Sequence, residues 1–168
     1  FTEIASTIVD YAKNKGKTVV YRPGVPYLKF GLEKLQGILK HVSIFILNEL
    51  GWKALQISSR DLLDAPEDLL EYGPATVILT KGEAGCVLYT REGKNVMLVP
   101  ESVRGRFRVV DPTGAGDSFS AALIKGLLEG WGLKRAVYFG QVAACITCSR
   151  VGASPSFPTL EEVEDANV

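Results

Sequence analysis

The run Asp111-Pro112-Thr113-Gly114-Ala115-Gly116-Asp117-Ser118-Phe119 combines residue types that suit anion chemistry. It follows a β-like segment, 107–110, and opens a helical pattern that reaches Glu129. A Gly-x-Gly turn at a strand-to-helix junction leaves backbone N–H groups facing open space, and the helix dipole adds partial positive charge there. Gly114 and Gly116 let the backbone bend tightly and approach a ligand closely. Asp117 then lies in the first helical turn, beside any bound anion. A carboxylate is an odd neighbour for phosphate unless it handles a proton or a metal. Phosphoryl transfer uses that combination: amides stabilise charge on the group in flight, and a carboxylate accepts the proton of the attacking hydroxyl. An ordinary capped helix start, with Asp111 or Thr113 as cap, is the competing explanation.

Two other glycine-rich patterns fit poorly. The dinucleotide fingerprint G-x-G-x-x-G needs glycine where this chain has Phe119, and about 20 residues further on, where it wants an acid, stand Lys134 and Arg135. The pattern G-x-x-x-x-G-K-[ST] is absent. Cys145-x-x-Cys148 lies within an apolar helical pattern with no second pair, so core packing explains it better than zinc or redox chemistry. His41 ends a helical pattern, where a cation suits the helix C-terminus. Arg104, Arg106 and Arg108 alternate as on the solvated face of a strand, and Trp52 and Trp131 are read as packing residues.

The elements that must position these residues alternate in type. An amphipathic helix over 1–11 carries Ile4, Ile8 and Tyr11 on its apolar face. A strand over 18–21 leads through Arg22-Pro23-Gly24 to a helix over Leu32–Leu39, and 42–47 is a nearly continuous apolar strand ending at Asn48-Glu49. A helical region over 61–72 is broken by Pro66, and a strand over 76–79 runs into Thr80-Lys81-Gly82-Glu83-Ala84-Gly85. Segments 86–89 and 95–99 flank a turn and predict a hairpin. After the glycine turn, Phe119, Ala122, Leu123, Gly126 and Leu127 form one stripe closed by Gly130. A helix over 133–149, apolar or small on nearly every side, predicts burial, and a short acidic helix follows over 160–165. Strands alternating with helices predict an α/β layered sheet with helices on both faces. Ligands in such sheets gather at the carboxyl ends of strands, where Asn48, Thr80 and Asp111 are expected.

At 168 residues the chain can bury a real core as one domain, and its 46% hydrophobic and 23% charged residues are ordinary for a globular protein. Nineteen basic residues balance nineteen acidic ones, which favours neither nucleic acid nor an anionic membrane as partner. No apolar run approaches the ~20 residues of a membrane helix. Three cysteines without framework spacing predict a reducing, cytoplasmic setting.

The stretch VDPTGAGDSFSAAL, residues 110–123, closely resembles the C-terminal signature of the ribokinase (PfkB) family of carbohydrate and nucleoside kinases. Ile46-Leu47-Asn48-Glu49 resembles that family's strand-end Asn-Glu element, and Thr80 to Gly85 its nucleotide loop. Residues 139–158, with Arg150-Val151-Gly152-Ala153 and the following Pro158-Thr159-Leu160-Glu161-Glu162, resemble its adenine-side helix and tail. The resemblance implies Asp117 as catalytic base and Gly114, Ala115 and Gly116 as the anion hole. It places Asn48, Thr80, Lys81, Gly82 and Gly85 along the phosphates and ribose of ATP, with Gln141 near the adenine. Mg²⁺ is implied with ATP, and a monovalent cation such as K⁺ near Asp111, Thr113, Thr147, Arg150, Gly152 and Ser156, mostly through backbone carbonyls.

One position departs from the family pattern. The residue three after Asn48, usually a Glu of the magnesium and phosphate network, is Gly51. The resemblance covers only the C-terminal, nucleotide-binding and catalytic part of a family member. It implies that an N-terminal part supplying the sugar- or nucleoside-binding residues, and a possible homodimer contact, lies outside 1–168. A non-catalytic nucleotide-binding or interaction module that retains the fold is the competing class. If the acceptor half is missing, the purified 168-residue chain transfers little or no phosphate to any sugar or nucleoside in a coupled kinase assay, and robust transfer contradicts that expectation.

Overall fold

The computed structural model describes residues 2–60, 63–101 and 103–166. The chain divides into two compact units, Phe1–Met97 and Leu98–Val168. The first unit holds a five-stranded sheet in the order β1 (Val20–Tyr21), β2 (Ile44–Asn48), β3 (Thr76–Thr80), β4 (Cys86–Thr90) and β5 (Gly93–Met97). Strands β1 to β3 run parallel, while β4 and β5 return antiparallel as the expected hairpin. Parallel neighbours need crossovers. The segment from β1 to β2 contains α2 (Val25–Leu28) and α3 (Leu32–Leu39), and the segment from β2 to β3 contains α4 (Glu49–Ser58) and a 3-10 helix, Pro66–Tyr72.

Side-chain alternation divides the sheet into two faces. Phe45, Val77 and Tyr89 form one cross-strand row and Leu47, Leu79 and Val87 the next, and both rows pack into a core with Leu28, Leu35, Leu39 and Leu55. The other face is buried as well, through Ile44, Ile46, Ile78 and Leu88. A strand covered on both sides reads as an unbroken apolar run, which is why 42–47 and 76–79 stood out. Trp52 packs at the margin of this core, as expected.

Helix α1 (Thr2–Asn14) forms, but with the opposite face inward. Ile4, Ile8 and Tyr11 are exposed, and Val9 with Ala5 joins the core. Two contacts select that face. A Cβ built on Gly37 of α3 would lie 3.4 Å from Ser6 Oγ, so α1 comes close there. One turn on, Asp10 Oδ1 lies 2.6 Å from His41 Nε2, which gives His41 a carboxylate partner instead of a solvated helix end. The helix expected over 61–72 is the 3-10 helix at Pro66–Tyr72, whose start is tied by Asp68 accepting the amides of Asp64 and Ala65; Asp61 and Leu62 lie outside the described residues.

The second unit contains α5 (Ala115–Leu128), α6 (Leu133–Cys148) and α7 (Leu160–Ala166). Phe139, Val142, Ala143 and Ile146 of α6 pack with Ala122 of α5 and with Val163 and Ala166 of α7. Trp131 meets Phe139 edge-on at 5.1 Å, so it packs as expected. Cys145 and Cys148 are partly buried and form no disulfide. No strand forms over 107–110: the Val110 and Asp111 amides donate instead to the Cys148 carbonyl at the end of α6, at 2.7 and 3.1 Å. Asp111 therefore does not follow a strand. The arginines upstream are not on a strand either, because the amides of Val103 and Arg104 turn back to the Pro100 carbonyl and that of Arg106 to Val103.

Helices α5 and α6 approach through small residues. A Cβ on Gly140 would lie 2.8 Å from the Phe119 carbonyl oxygen and 3.0 Å from Phe119 Cδ2. Gly140→Ala is expected to cost about 1–3 kcal/mol by overpacking, read as a lower urea midpoint for unfolding with an unchanged slope.

Candidate functional site

In the second unit the glycine turn is built by local and long-range hydrogen bonds together. Gly114 adopts a left-handed conformation, φ 84° and ψ −11°, and is the N-cap of α5 without any side-chain cap. A Cβ there would lie 2.7 Å from Phe157 Cε1 and 3.2 Å from Ala153 Cα, so glycine is required for both its dihedral and its space. Neither Asp111 nor Thr113 caps the helix. Asp111 instead accepts the Thr113 amide at 2.9 Å through Oδ1 and the Gly152 amide at 2.9 Å through Oδ2. These bonds join the segment entering α5 to the loop leaving α6.

The amides of the turn do not share one fate. Asp117 and Ser118 donate to the Gly114 carbonyl at 2.9 and 3.0 Å, and Ala115 donates to Pro112 at 3.2 Å. Among the described residues, the Gly114 and Gly116 N–H groups have no backbone acceptor. Asp117 occupies the first turn of α5 and is exposed. Behind the turn, the buried Thr147 hydroxyl lies 2.8 Å from Ser118 Oγ and 2.9 Å from the Ala143 carbonyl, and Ser118 Oγ donates to the Ala115 carbonyl at 3.0 Å.

The loop after α6 is held at its far end too. Arg150 forks onto Glu162 of α7 through its two terminal guanidinium nitrogens. Glu162 also accepts the Thr159 amide at 2.8 Å while Thr159 Oγ1 accepts the Glu162 amide at 3.2 Å, a reciprocal capping box. Gly152 is left-handed at φ 89°, and Ser156, fully buried, donates its hydroxyl to the Ala153 carbonyl at 2.6 Å. Gln141 is buried on α6 rather than displayed to solvent.

In the first unit, Asn48 and Thr80 are register partners at the carboxyl ends of β2 and β3. Thr80 Oγ1 donates to the Leu47 carbonyl at 3.4 Å. Asn48 caps α4, its Oδ1 accepting the Gly51 amide at 2.8 Å. That capping residue, with Glu49 in the first turn, is the signal that could have revealed α4 from sequence. Gly51 is buried, and a Cβ on it would lie 2.6 Å from Leu28 Cδ1 and 3.0 Å from Asn48 Oδ1. An acid at 51 would have to displace Leu28. After Thr80, the Lys81 amide donates to the Gly85 carbonyl at 2.8 Å, closing a loop in which Gly82 and Gly85 are both left-handed. Lys81 Nζ lies 3.5 Å from Glu49 Oε1. Among the described residues, no three His, Cys, Asp or Glu side chains cluster to hold a metal by themselves. No helix of the described residues is long and apolar enough to cross a membrane.

The sequence pattern of the pfkB family carbohydrate kinases matches residues 2–160. This chain belongs to that family. An uncharacterized sugar kinase of Archaeoglobus fulgidus is 32% identical over 142 residues, covering 84% of this chain and 54% of the relative. The nucleoside kinase of Methanocaldococcus jannaschii is 30% identical over 145 residues, covering 86% and 45% respectively. The chain thus spans about half the length of these pfkB relatives. Arabidopsis thaliana ribokinase, solved with ribose and ATP, superposes with a TM-score of 0.83 at 22% identity over 99% of this chain and 53% of that one. That likeness gives the fold as ribokinase-like α/β.

Two carboxylates of the second unit are poised by their partners. The Thr113 side chain, then the Gly152 and Thr113 amides, hold the Asp111 carboxyl below its usual range. The Arg150 guanidinium, followed by the Thr159 amide, lowers that of Glu162. A lowered folded value means that the stabilisation is complete well above the unfolded values, about 3.9 for Asp and 4.3 for Glu, and is lost as pH falls through the lowered ones. Carboxyl-detected NMR titration is expected to give midpoints below those values for both groups. Asp111→Asn is expected to increase hydrogen exchange at the Gly152 amide.

Proposed function

We propose that this chain is the nucleotide-binding and catalytic part of an ATP-dependent kinase that phosphorylates a hydroxyl of a sugar or a nucleoside. The observation that carries the reading is the left-handed Gly114 opening α5, with Asp117 exposed in the helix's first turn. The sugar kinase and nucleoside kinase relatives support the acceptor class. The ribose and ATP in the Arabidopsis ribokinase support ATP as the phosphoryl donor.

In this reading the Asp117 carboxylate accepts the acceptor hydroxyl proton as the hydroxyl oxygen bonds to the γ-phosphorus and the bond to the bridging oxygen breaks, releasing ADP. The Gly114 and Gly116 amides stabilise charge on the transferring group. The Ala115 amide, already bonded to Pro112, contributes to the shape of the turn in this conformation. Asn48, Thr80, Lys81, Gly82 and Gly85 line the nucleotide phosphates and ribose, and Gln141 stands on the adenine side. Mg²⁺ bound with ATP would offset phosphate charge.

A monovalent cation such as K⁺ suits the oxygen-rich loop formed by Asp111, Thr113, Thr147, Arg150, Gly152 and Ser156. Each Asp111 oxygen accepts one amide and retains lone-pair capacity, and the Arg150 guanidinium is engaged by Glu162. Bound there, the cation would add fixed positive charge beside the anion turn. The acceptor-binding residues belong to a part of the protein outside 1–168. An odd count of three cysteines without framework spacing supports a reducing, cytoplasmic setting.

Gly51 favours a second reading, a nucleotide-binding module without catalysis, because it stands where the family usually has a Glu, and an acid there would have to displace Leu28. Assaying phosphate transfer from ATP to a panel of sugars and nucleosides separates the two. In the complete protein, Asp117→Asn is expected to lower kcat by about 10²–10⁴-fold while ATP still binds by calorimetry. An unchanged kcat removes Asp117 from the role of base.

A further inference from the structure

We propose that Glu49 is a counter-charge for Lys81 that an arriving polyphosphate displaces, so that Glu49 sets how tightly the nucleotide is held. The inference rests on the reading of the β2 and β3 ends as the nucleotide-phosphate site. Glu49 and Lys81 each follow one member of the register pair Asn48 and Thr80, which brings them to the same end of two adjacent parallel strands. Lys81 Nζ and Glu49 Oε1 are 3.5 Å apart, longer than the usual charge-assisted hydrogen bond, and the side chains are 38% and 60% exposed. A pair of that kind is weak and screened by salt. Its weakness makes it exchangeable, because the lysine ammonium sits on a flexible stem and a polyphosphate offers it several anionic oxygens.

Glu49 has somewhere to leave its charge. It occupies the first turn of α4, where the helix dipole favours a carboxylate whether or not Lys81 stays in contact. Glu49 is the acidic residue of that first turn, position 51 being a buried glycine. Lys81 is therefore held near the strand ends by one anion before nucleotide arrives and moves to another afterwards. The contact makes the unliganded loop less cationic, and it lowers nucleotide affinity by the strength of the pair.

Isothermal titration of the complete protein with ATP, and separately with adenosine, tests this. Lys81→Met is expected to weaken ATP about ten-fold or more. Glu49→Gln, an exposed and nearly isosteric change, is expected to tighten ATP by about two- to five-fold at low ionic strength. That gain should shrink as salt is added. Adenosine affinity stays unchanged in Glu49→Gln, and the double variant binds ATP like Lys81→Met alone, because Glu49 acts only through Lys81. Unchanged or weaker ATP binding by Glu49→Gln overturns the proposal, as does a Glu49→Gln gain that persists in the Lys81→Met background or an equal change for adenosine. Wild-type protein that fails to bind ATP at all overturns the nucleotide reading itself, a result distinct from an insensitive Glu49 in a protein that does bind.

Discussion

A single carboxylate holds the second unit's glycine turn in shape. Asp111 accepts amides from Thr113, two residues on, and from Gly152, 41 residues on. The first bond shapes the entry to α5; the second fastens it to the loop leaving α6. Each bond is ordinary in length, yet the two share one planar group and so fix two segments in one frame. With that frame set, Ala153 and Phe157 pack against Gly114 closely enough to exclude any Cβ. The left-handed turn and its amides follow from that packing. Arg150, Glu162 and Thr159 then carry the same loop into α7.

The first unit solves a different problem with sheet register. Parallel pairing of β2 with β3 sets Asn48 opposite Thr80, and alternation puts both on the face that also carries Ile46 and Ile78. The Asn48 cap starts α4 immediately, so the chain reverses without a long loop. Close packing of Leu28 over Gly51 follows from that tight reversal. An acid at 51 would therefore have to displace Leu28, and Glu49, two residues earlier, is the carboxylate in the helix's first turn.

Legibility from sequence varied with the range of the interaction concerned. The β2 and β3 strands were readable because burial on both faces makes them continuously apolar, and β4 because it flanks a hairpin turn. The α5 stripe of Phe119, Ala122, Leu123 and Gly126 was readable because those residues meet one neighbour along one side. Helix α1 misled because its most apolar face, Ile4, Ile8 and Tyr11, is not the one that docks; Ser6 over Gly37 and Asp10 on His41 decide the docking instead. Segment 107–110 has strand-like composition, but its end bonds to the Cys148 carbonyl rather than to a strand. Helix α4 was missed because Leu50 and Ile57 point outward and blur its stripe.

The sequence by itself determined the chemistry on offer: a Gly-x-Gly turn before a helix, an aspartate in its first turn, an asparagine at a strand end, and the family signature. Those features depend on residues within four positions of each other, where spacing alone sets geometry. Only the tertiary structure decided that Asp111 serves Gly152 and that an acid at position 51 would have to displace Leu28. It also paired Lys81 with Glu49. Packing and strand register settle these points between residues that local spacing does not relate.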